Sequence, residues 1–253
     1  MFCKSRATAR QTKRPPILEG PWTPQMKAML LAAGRGERLR PLTDHTPKPL
    51  LKVGGQALIV WQLEKLKCAG ISEVVINLAY LGEQIETYLG NGSAWGLTIE
   101  YSREPAGALE TAGGIRQALD WLGNAPFVLA NADVWTDFDF ALLPVHCHSL
   151  AHLVLVENRP HHPQGDFGLL EGRVTPSGEP NRTYAGIGIY APGLFESLAR
   201  GVRAPLAPLL RAAIANGAVT GQLWTGQWID VGTVERLEEA DLALKLAARD
   251  QRL

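Results

Sequence analysis

The chain has 253 residues, 46% hydrophobic and 20% charged, enough to bury one good-sized core and ordinary for a globular α/β enzyme. Lys+Arg and Asp+Glu both number 25, so no global field draws it to nucleic acid or an acidic membrane, and no apolar run approaches the length of a membrane span. Three widely spaced cysteines, Cys3, Cys68 and Cys147, read as free thiols of a reducing compartment, the cytoplasm, and neither a disulfide framework nor a metal site.

Residues 1–25 differ from the rest. Lys4, Arg6, Arg10, Lys13 and Arg14 face a single acid, Glu19, and four prolines interrupt them. Without an apolar core this is no secretory signal; it reads as a disordered extension or an over-extended start. Residues 26–253 form one domain, with no internal repeat or linker.

The run Ala28 to Ala33 is apolar enough for a buried parallel strand. It opens into Gly34-Arg35-Gly36-Glu37-Arg38, where glycines let backbone N–H groups turn onto an anion and arginines supply charge-assisted contacts to phosphate oxygens. A triphosphate suits such a loop. It is neither a P-loop, lacking the Gly-Lys-Ser/Thr, nor the dinucleotide fingerprint, lacking the third glycine. Pro47-Lys48-Pro49 then fixes one lysine in a rigid, extended segment.

Alternating elements follow: helix 57–69, strand 74–77, helix 83–89, strand 97–101, helix 112–122 and strand 127–130. That alternation predicts βαβ units, a mostly parallel Rossmann-like sheet flanked by helices. Thr111 reads as the cap of the third helix. Gly113 and Gly114 in its first turn cost roughly 1 kcal/mol each relative to Ala, which is explained if a planar base or sugar approaches the backbone. Asp133 falls beyond the carboxyl end of a central strand, where open α/β sheets bind ligands. Strands 153–156, 184–190 and 219–223 and helices 205–216 and 234–248 complete the domain. Asp230 closes the short apolar stretch Trp228-Ile229. The six histidines lack acid or cysteine partners at metal-ligand spacing and read as surface or capping residues.

Five segments together resemble the sugar-phosphate nucleotidylyltransferases. They are Leu31-Ala32-Ala33-Gly34-Arg35-Gly36-Glu37-Arg38-Leu39 with Pro47-Lys48-Pro49-Leu50, Leu109-Glu110-Thr111-Ala112-Gly113-Gly114, Asn131-Ala132-Asp133-Val134-Trp135-Thr136-Asp137, Gly165-Asp166-Phe167, and Trp228-Ile229-Asp230-Val231-Gly232-Thr233. The later segments most resemble the N-acetylmuramic acid-1-phosphate uridylyltransferases, which recycle cell-wall sugar.

The resemblance implies the nucleotide-diphospho-sugar transferase fold and transfer of UMP from UTP to a sugar 1-phosphate, with Mg²⁺ held by Asp133 and Asp230. The nucleotide would lie on Ala33, Gly34, Arg35, Gly36, Glu37, Arg38, Lys48 and Gly113, with Glu104 a candidate acceptor for uracil N3–H. Arg38, Lys48 and Asp133 would carry catalysis. Glu37 would support an arginine through a carboxylate pair. Glu110, Asn131, Asp166 and Gly186 are candidates for ribose or sugar, and Arg182 for the acceptor phosphate. Most members have Gly where this chain has Ala132, whose methyl would crowd the ribose. Two alternatives stand beside this reading: a nucleotidylyltransferase for another sugar, such as a mannose-1-phosphate guanylyltransferase, and a non-catalytic nucleotide-sugar-binding regulator. No oligomeric state is legible.

Overall fold

A computed structural model describes residues 26–105, 109–144, 146 and 148–250, with side chains up to 245. The basic extension 1–25 and Cys147 lie outside the described residues. Nine strands form one sheet. In chain order these are β1 (Ala28–Leu31), then, after the short ribbon β2 (Lys52–Val53) and β3 (Gln56–Ala57), β4 (Glu73–Leu78), β5 (Thr98–Arg103) and β6 (Phe127–Asn131). After β7 (Val134–Thr136) come β8 (Ala151–Val156), β9 (Gly168–Leu170), β10 (Arg173–Thr175), β11 (Thr183–Tyr190) and β12 (Val219–Trp224); β13 (Trp228–Asp230) pairs with β7 in a second ribbon. The helices are α1 (Leu58–Cys68), α2 (Gly82–Leu89), α3 (Glu110–Leu122), α4 (Leu206–Ala215) and α5 (Val234–Asp250).

The sheet order is β5-β4-β1-β6-β11-β8-β12-β10-β9. Seven strands point one way; β11 and β10 run against them, so β11 pairs antiparallel with both β6 and β8. The period-two alternation of side chains loads both faces. Ala28 and Leu30 of β1, Val128 and Ala130 of β6, and Ile187 and Ile189 of β11 face one layer, which α1 and α2 cover with Ile59, Leu63 and Ile85. Met29, Phe127, Leu129 and Tyr190 face the other, covered by α3 and α4 through Ile115, Leu122, Leu210 and Ile214. Phe127, Tyr190 and Phe195 cluster there with ring centroids 6.1–6.4 Å apart, each such pair adding about 0.5–1.5 kcal/mol beyond area burial. Among the described residues no helix is long and apolar enough to cross a membrane.

The sheet buries a histidine among its polar side chains. His152 on β8 is 9% exposed, with Nδ1 2.9 Å from Thr220 Oγ1 and Nε2 3.1 Å from Gln222 Oε1 on β12. Burial holds its pKa below the ordinary 6.5, the Gln222 hydrogen bond opposing this only in part. The folded state therefore binds fewer protons than the unfolded state below pH 6.5, so this contribution is full above that pH and lost as pH falls through the lower folded pKa. Melting temperatures from pH 7.5 down to pH 5 should accordingly fall more steeply for the wild type than for His152→Gln.

Candidate active site

Because β1, β4, β5 and β6 are parallel, their carboxyl ends meet along one edge. Leu31 stands in register with Asn77 on one side and Asn131 on the other, and Asn77 with Ser102 beyond. A cleft of about 240 Å³ opens there, lined by Ala33, Gly34, Asn77, Glu104, Asn131 and Asp133, with Glu110 and Thr111 from α3.

The glycine-arginine loop leaves β1 over this cleft. Gly36 has φ 71°, and a Cβ on it would lie 2.9 Å from Thr43 Cγ2 and 3.3 Å from Lys48 Cβ. Thr43 Oγ1 donates to the Gly36 carbonyl at 2.8 Å, closing the loop onto the lysine segment. Among the described residues the N–H groups of Gly34 to Arg38 have no protein acceptor, and Arg38 makes no ion pair. Arg35 lies with its Cζ 3.8 Å above the centre of the Tyr80 ring, and the Glu37 carboxylate stands 3.7 Å from its Nε. Gly36→Ala should cost about 1–3 kcal/mol, the usual range for a side chain forced into the left-handed region, and thermal denaturation will read it.

Lys48 heads a 3₁₀ turn, Lys48–Leu50; it is not in the extended segment expected from its prolines. Pro49 fits because the first residues of such a turn need no N–H donor. The lysine is 8% exposed, and its Nζ makes a short ion pair with Asp133 Oδ2.

Asp133 and Asp230 become neighbours through the β7–β13 ribbon. Asp230 is in register with Val134, and the Val231 N–H donates to the Asp133 carbonyl at 3.1 Å. Three contacts pin the ribbon: Trp228 Nε1 donates to the Ala185 carbonyl at 2.9 Å, Thr136 Oγ1 to the Gln227 carbonyl at 2.6 Å, and Gln62 Nε2 to the Val134 carbonyl. Arg236, in the first turn of α5, places Nη1 2.8 Å from Asp230 Oδ2 and 2.8 Å from His161 Nε2. The imidazole accepts that bond and is neutral; burial and the neighbouring guanidinium hold its pKa below 6.5. Both aspartates thus face a cationic side chain.

Asn77, which the sequence reading passed over, organises the floor. It is 3% exposed; its Oδ1 accepts from the Ala32 N–H at 2.7 Å, and its Nδ2 donates to Glu104 Oε1 at 2.6 Å. Glu104 Oε2 accepts from the Leu109 N–H at 2.7 Å. The signal was one polar residue in the otherwise apolar run Val74-Val75-Ile76-Asn77. Arg236 was missed as well, although it follows Asp230 closely in sequence.

Several expectations change. Thr111 does not cap α3: the cap position is Leu109, with no side-chain cap bond. Glu110 begins the helix with φ 57°, a left-handed strain of order 1 kcal/mol at the cleft wall, and pairs with Arg203 at 2.8 Å. Gly113 meets the 202–204 loop, its added Cβ lying 2.5 Å from the Val202 carbonyl, and it does not line the cleft. Gly114 is the glycine packed under Glu104, 2.4 Å from Oε1 on the same test. Ala132 is buried in the core cluster and is not among the residues that line the cleft. Asp166 ties its loop to β11, accepting from the Tyr184 N–H at 2.8 Å with His162 Nε2 at 3.1 Å, and lines neither this cleft nor the cavity beside Asp230. Gly186 sits in a bulge of β11 at φ 72°, where a Cβ would strike Asn131 Nδ2 at 2.5 Å, so these two candidates are in contact. Arg182 is engaged with Glu157 at 2.7 Å.

A family model for nucleotidyl transferases matches residues 27–246, and the chain belongs to that family. Such enzymes act on a nucleoside triphosphate and a sugar 1-phosphate and typically use a divalent metal. The chain is 56% identical over 225 residues to the N-acetylmuramate alpha-1-phosphate uridylyltransferase of Neisseria meningitidis serogroup B, covering 85% of this chain and 96% of that protein. It is 36% identical to the enzyme of the same name from Caulobacter vibrioides, over 81% of this chain and 91% of that one. In three dimensions it superposes on a structure assigned as a glucose-1-phosphate thymidylyltransferase from Bacillus anthracis with a TM-score of 0.76 at 24% identity, covering 87% and 95% of the two chains.

Proposed function

We propose that this chain transfers UMP from UTP to N-acetylmuramic acid 1-phosphate, giving UDP-N-acetylmuramic acid and pyrophosphate, in the cytoplasmic recycling of peptidoglycan sugar. The observation that carries the reading is the 56% identity to the Neisseria meningitidis enzyme across 96% of its length. The site agrees with it. A phosphate oxygen of the acceptor attacks the α-phosphorus of UTP; that new P–O bond forms as the bond to the β-phosphate oxygen breaks, and pyrophosphate leaves.

The protein supplies positioning and charge. The N–H groups of Gly34 to Arg38 and the Arg38 guanidinium, without protein partners among the described residues, receive the triphosphate. Lys48, now on Asp133, moves its ammonium to the α-phosphate oxygens, where negative charge builds. Ala33, Asn77 and Glu104 bound the cleft for ribose and base, and Glu104 takes the uracil N3–H by exchanging its present bonds. Asn131 in the wall of that cleft and Gly186 beside it are the candidates for contact with the acceptor sugar.

The donor set fits Mg²⁺. Asp133, in the turn that leads into β7, and Asp230, at the end of β13, are two carboxylates brought together by that ribbon, each now balanced by a cationic side chain, and Mg²⁺ characteristically takes one or two carboxylates and completes its octahedron with water and phosphate oxygens. Bound there, it would neutralise charge on the phosphate oxygens. Mass spectrometry of a reaction holding UTP, Mg²⁺ and N-acetylmuramic acid 1-phosphate should find UDP-N-acetylmuramic acid equimolar with pyrophosphate. Pyrophosphate without that nucleotide sugar would overturn the proposal.

A further inference from the structure

A second cavity, about 320 Å³, opens beside Asp230 and shares no lining residue with the nucleotide cleft, which holds Asp133. The loop after β8 supplies Arg159, Pro160 and His161, β13 supplies Trp228 and Ile229, and α5 supplies Arg236 and Glu239. The aspartate pair thus stands between two concave sites, as a reaction between two bound substrates requires.

The charges of the second cavity are unequally committed. Arg236 is held by Asp230 and His161, both at 2.8 Å. Glu239 is exposed. Arg159 donates from Nη2 to the Trp228 carbonyl and, among the described residues, has no carboxylate partner. A guanidinium carries five donors in a planar fork matched to an oxyanion, so most of Arg159's capacity is open. An arginine with most of its donors open, in a hollow whose apolar wall is Pro160, Trp228 and Ile229, suits a ligand with both an anionic group and a hydrocarbon face. A muramic acid 1-phosphate is such a ligand: its phosphate and lactyl carboxylate are both oxyanions on a pyranose ring.

On the strength of the proposed uridylyltransferase reaction, we infer that this cavity receives the acceptor sugar and that Arg159 binds an oxyanion it carries. Arg182, the residue expected for the acceptor phosphate, is engaged with Glu157. Arg159 also orients its own loop through Trp228, which lies next to Asp230 by one intervening residue. The same side chain therefore connects acceptor binding to the position of the aspartate.

Steady-state kinetics of the full chain decide the matter, with N-acetylmuramic acid 1-phosphate and N-acetylglucosamine 1-phosphate as acceptors at saturating UTP and Mg²⁺. Arg159→Gln should raise the KM for the muramic acceptor about 10- to 100-fold, as loss of a charge-assisted bond does, with the KM for UTP within about twofold and the melting temperature nearly unchanged. Arg159→Lys should recover part of the loss. An equal loss on both acceptors assigns the phosphate to Arg159; a loss confined to the muramic acceptor assigns the lactyl carboxylate. An unchanged acceptor KM in an active Arg159→Gln enzyme overturns the inference alone. So does a parallel rise in both KM values with a lowered melting temperature, which marks a purely structural tie to Trp228. If the wild type turns over neither acceptor, the proposed reaction fails and this inference with it.

Discussion

Lys48→Ala lowers turnover by about 10²–10³-fold, the usual cost of removing one charge-assisted donor from a site that stabilises developing negative charge. The size follows from where the lysine sits. Lys48 stands between Pro47 and Pro49 and against the Gly36 loop, and its side chain is only 10% exposed, so its ammonium is held at one place in the site. Charge on the α-phosphate oxygens grows as pyrophosphate departs, so the contact is stronger in the transition state than in the bound substrate and appears in the rate. Binding of UTP, read by calorimetry, should weaken far less, because Arg38 and the loop N–H groups remain. A variant that loses binding but keeps its rate at saturation would make Lys48 a simple anchor.

Asp133→Asn should lower turnover by about 10²-fold or more, since removing a carboxylate proposed to hold Mg²⁺ would forfeit several kcal/mol of charge stabilisation at the phosphate. The amide preserves volume, so the ribbon stays in place. Lys48 loses its counter-ion, but stability should fall by less than the roughly 3–5 kcal/mol of a fully buried broken pair, because the Asp133 side chain is 30% exposed. Chelation of divalent ions from the wild type should reproduce the kinetic loss without touching the fold. Full activity in chelator, or an unchanged rate in the folded variant, would refute the metal assignment. Circular dichroism of the variant separates a lost ligand from a lost fold.

Most of the sheet was legible because its central strands are buried on both faces and read as continuous apolar runs. Val74–Asn77 and Phe127–Ala130 extend by only one or two residues in the structure. Helix α5 announced itself by Leu237, Ala240 and Leu244 at helical spacing, two of which pack on the third hydrophobic cluster with Ala240 fully buried in it. Strand direction is not written in a period of two, so the reversed β11 came only from the structure. The ribbons β2–β3 and β7–β13 are two or three residues per strand, too short to show any period.

The site divides the same way. The glycine-arginine loop and the lysine segment were legible as candidates because their glycines, arginines and lysine lie close together in the chain, from Gly34 to Lys48. The contact of Asp133 with Lys48 and the pairing of Asp230 with Arg236 depend on how ribbon and helix close, and the sequence places Asp133 and Asp230 far apart. Gly113 and Gly114 were legible as sites of close approach. What approaches is protein, the Val202 carbonyl for one and Glu104 for the other. A glycine records that something comes near, and its sequence position does not say what.

The central claim is tested most directly by following pyrophosphate release from the purified chain with each of the four nucleoside triphosphates against a panel of sugar 1-phosphates. UTP with N-acetylmuramic acid 1-phosphate should give by far the highest kcat/KM, dependent on Mg²⁺. Preference for GTP with mannose 1-phosphate would assign another sugar nucleotide. Nucleotide binding without turnover of any acceptor would contradict an enzyme altogether.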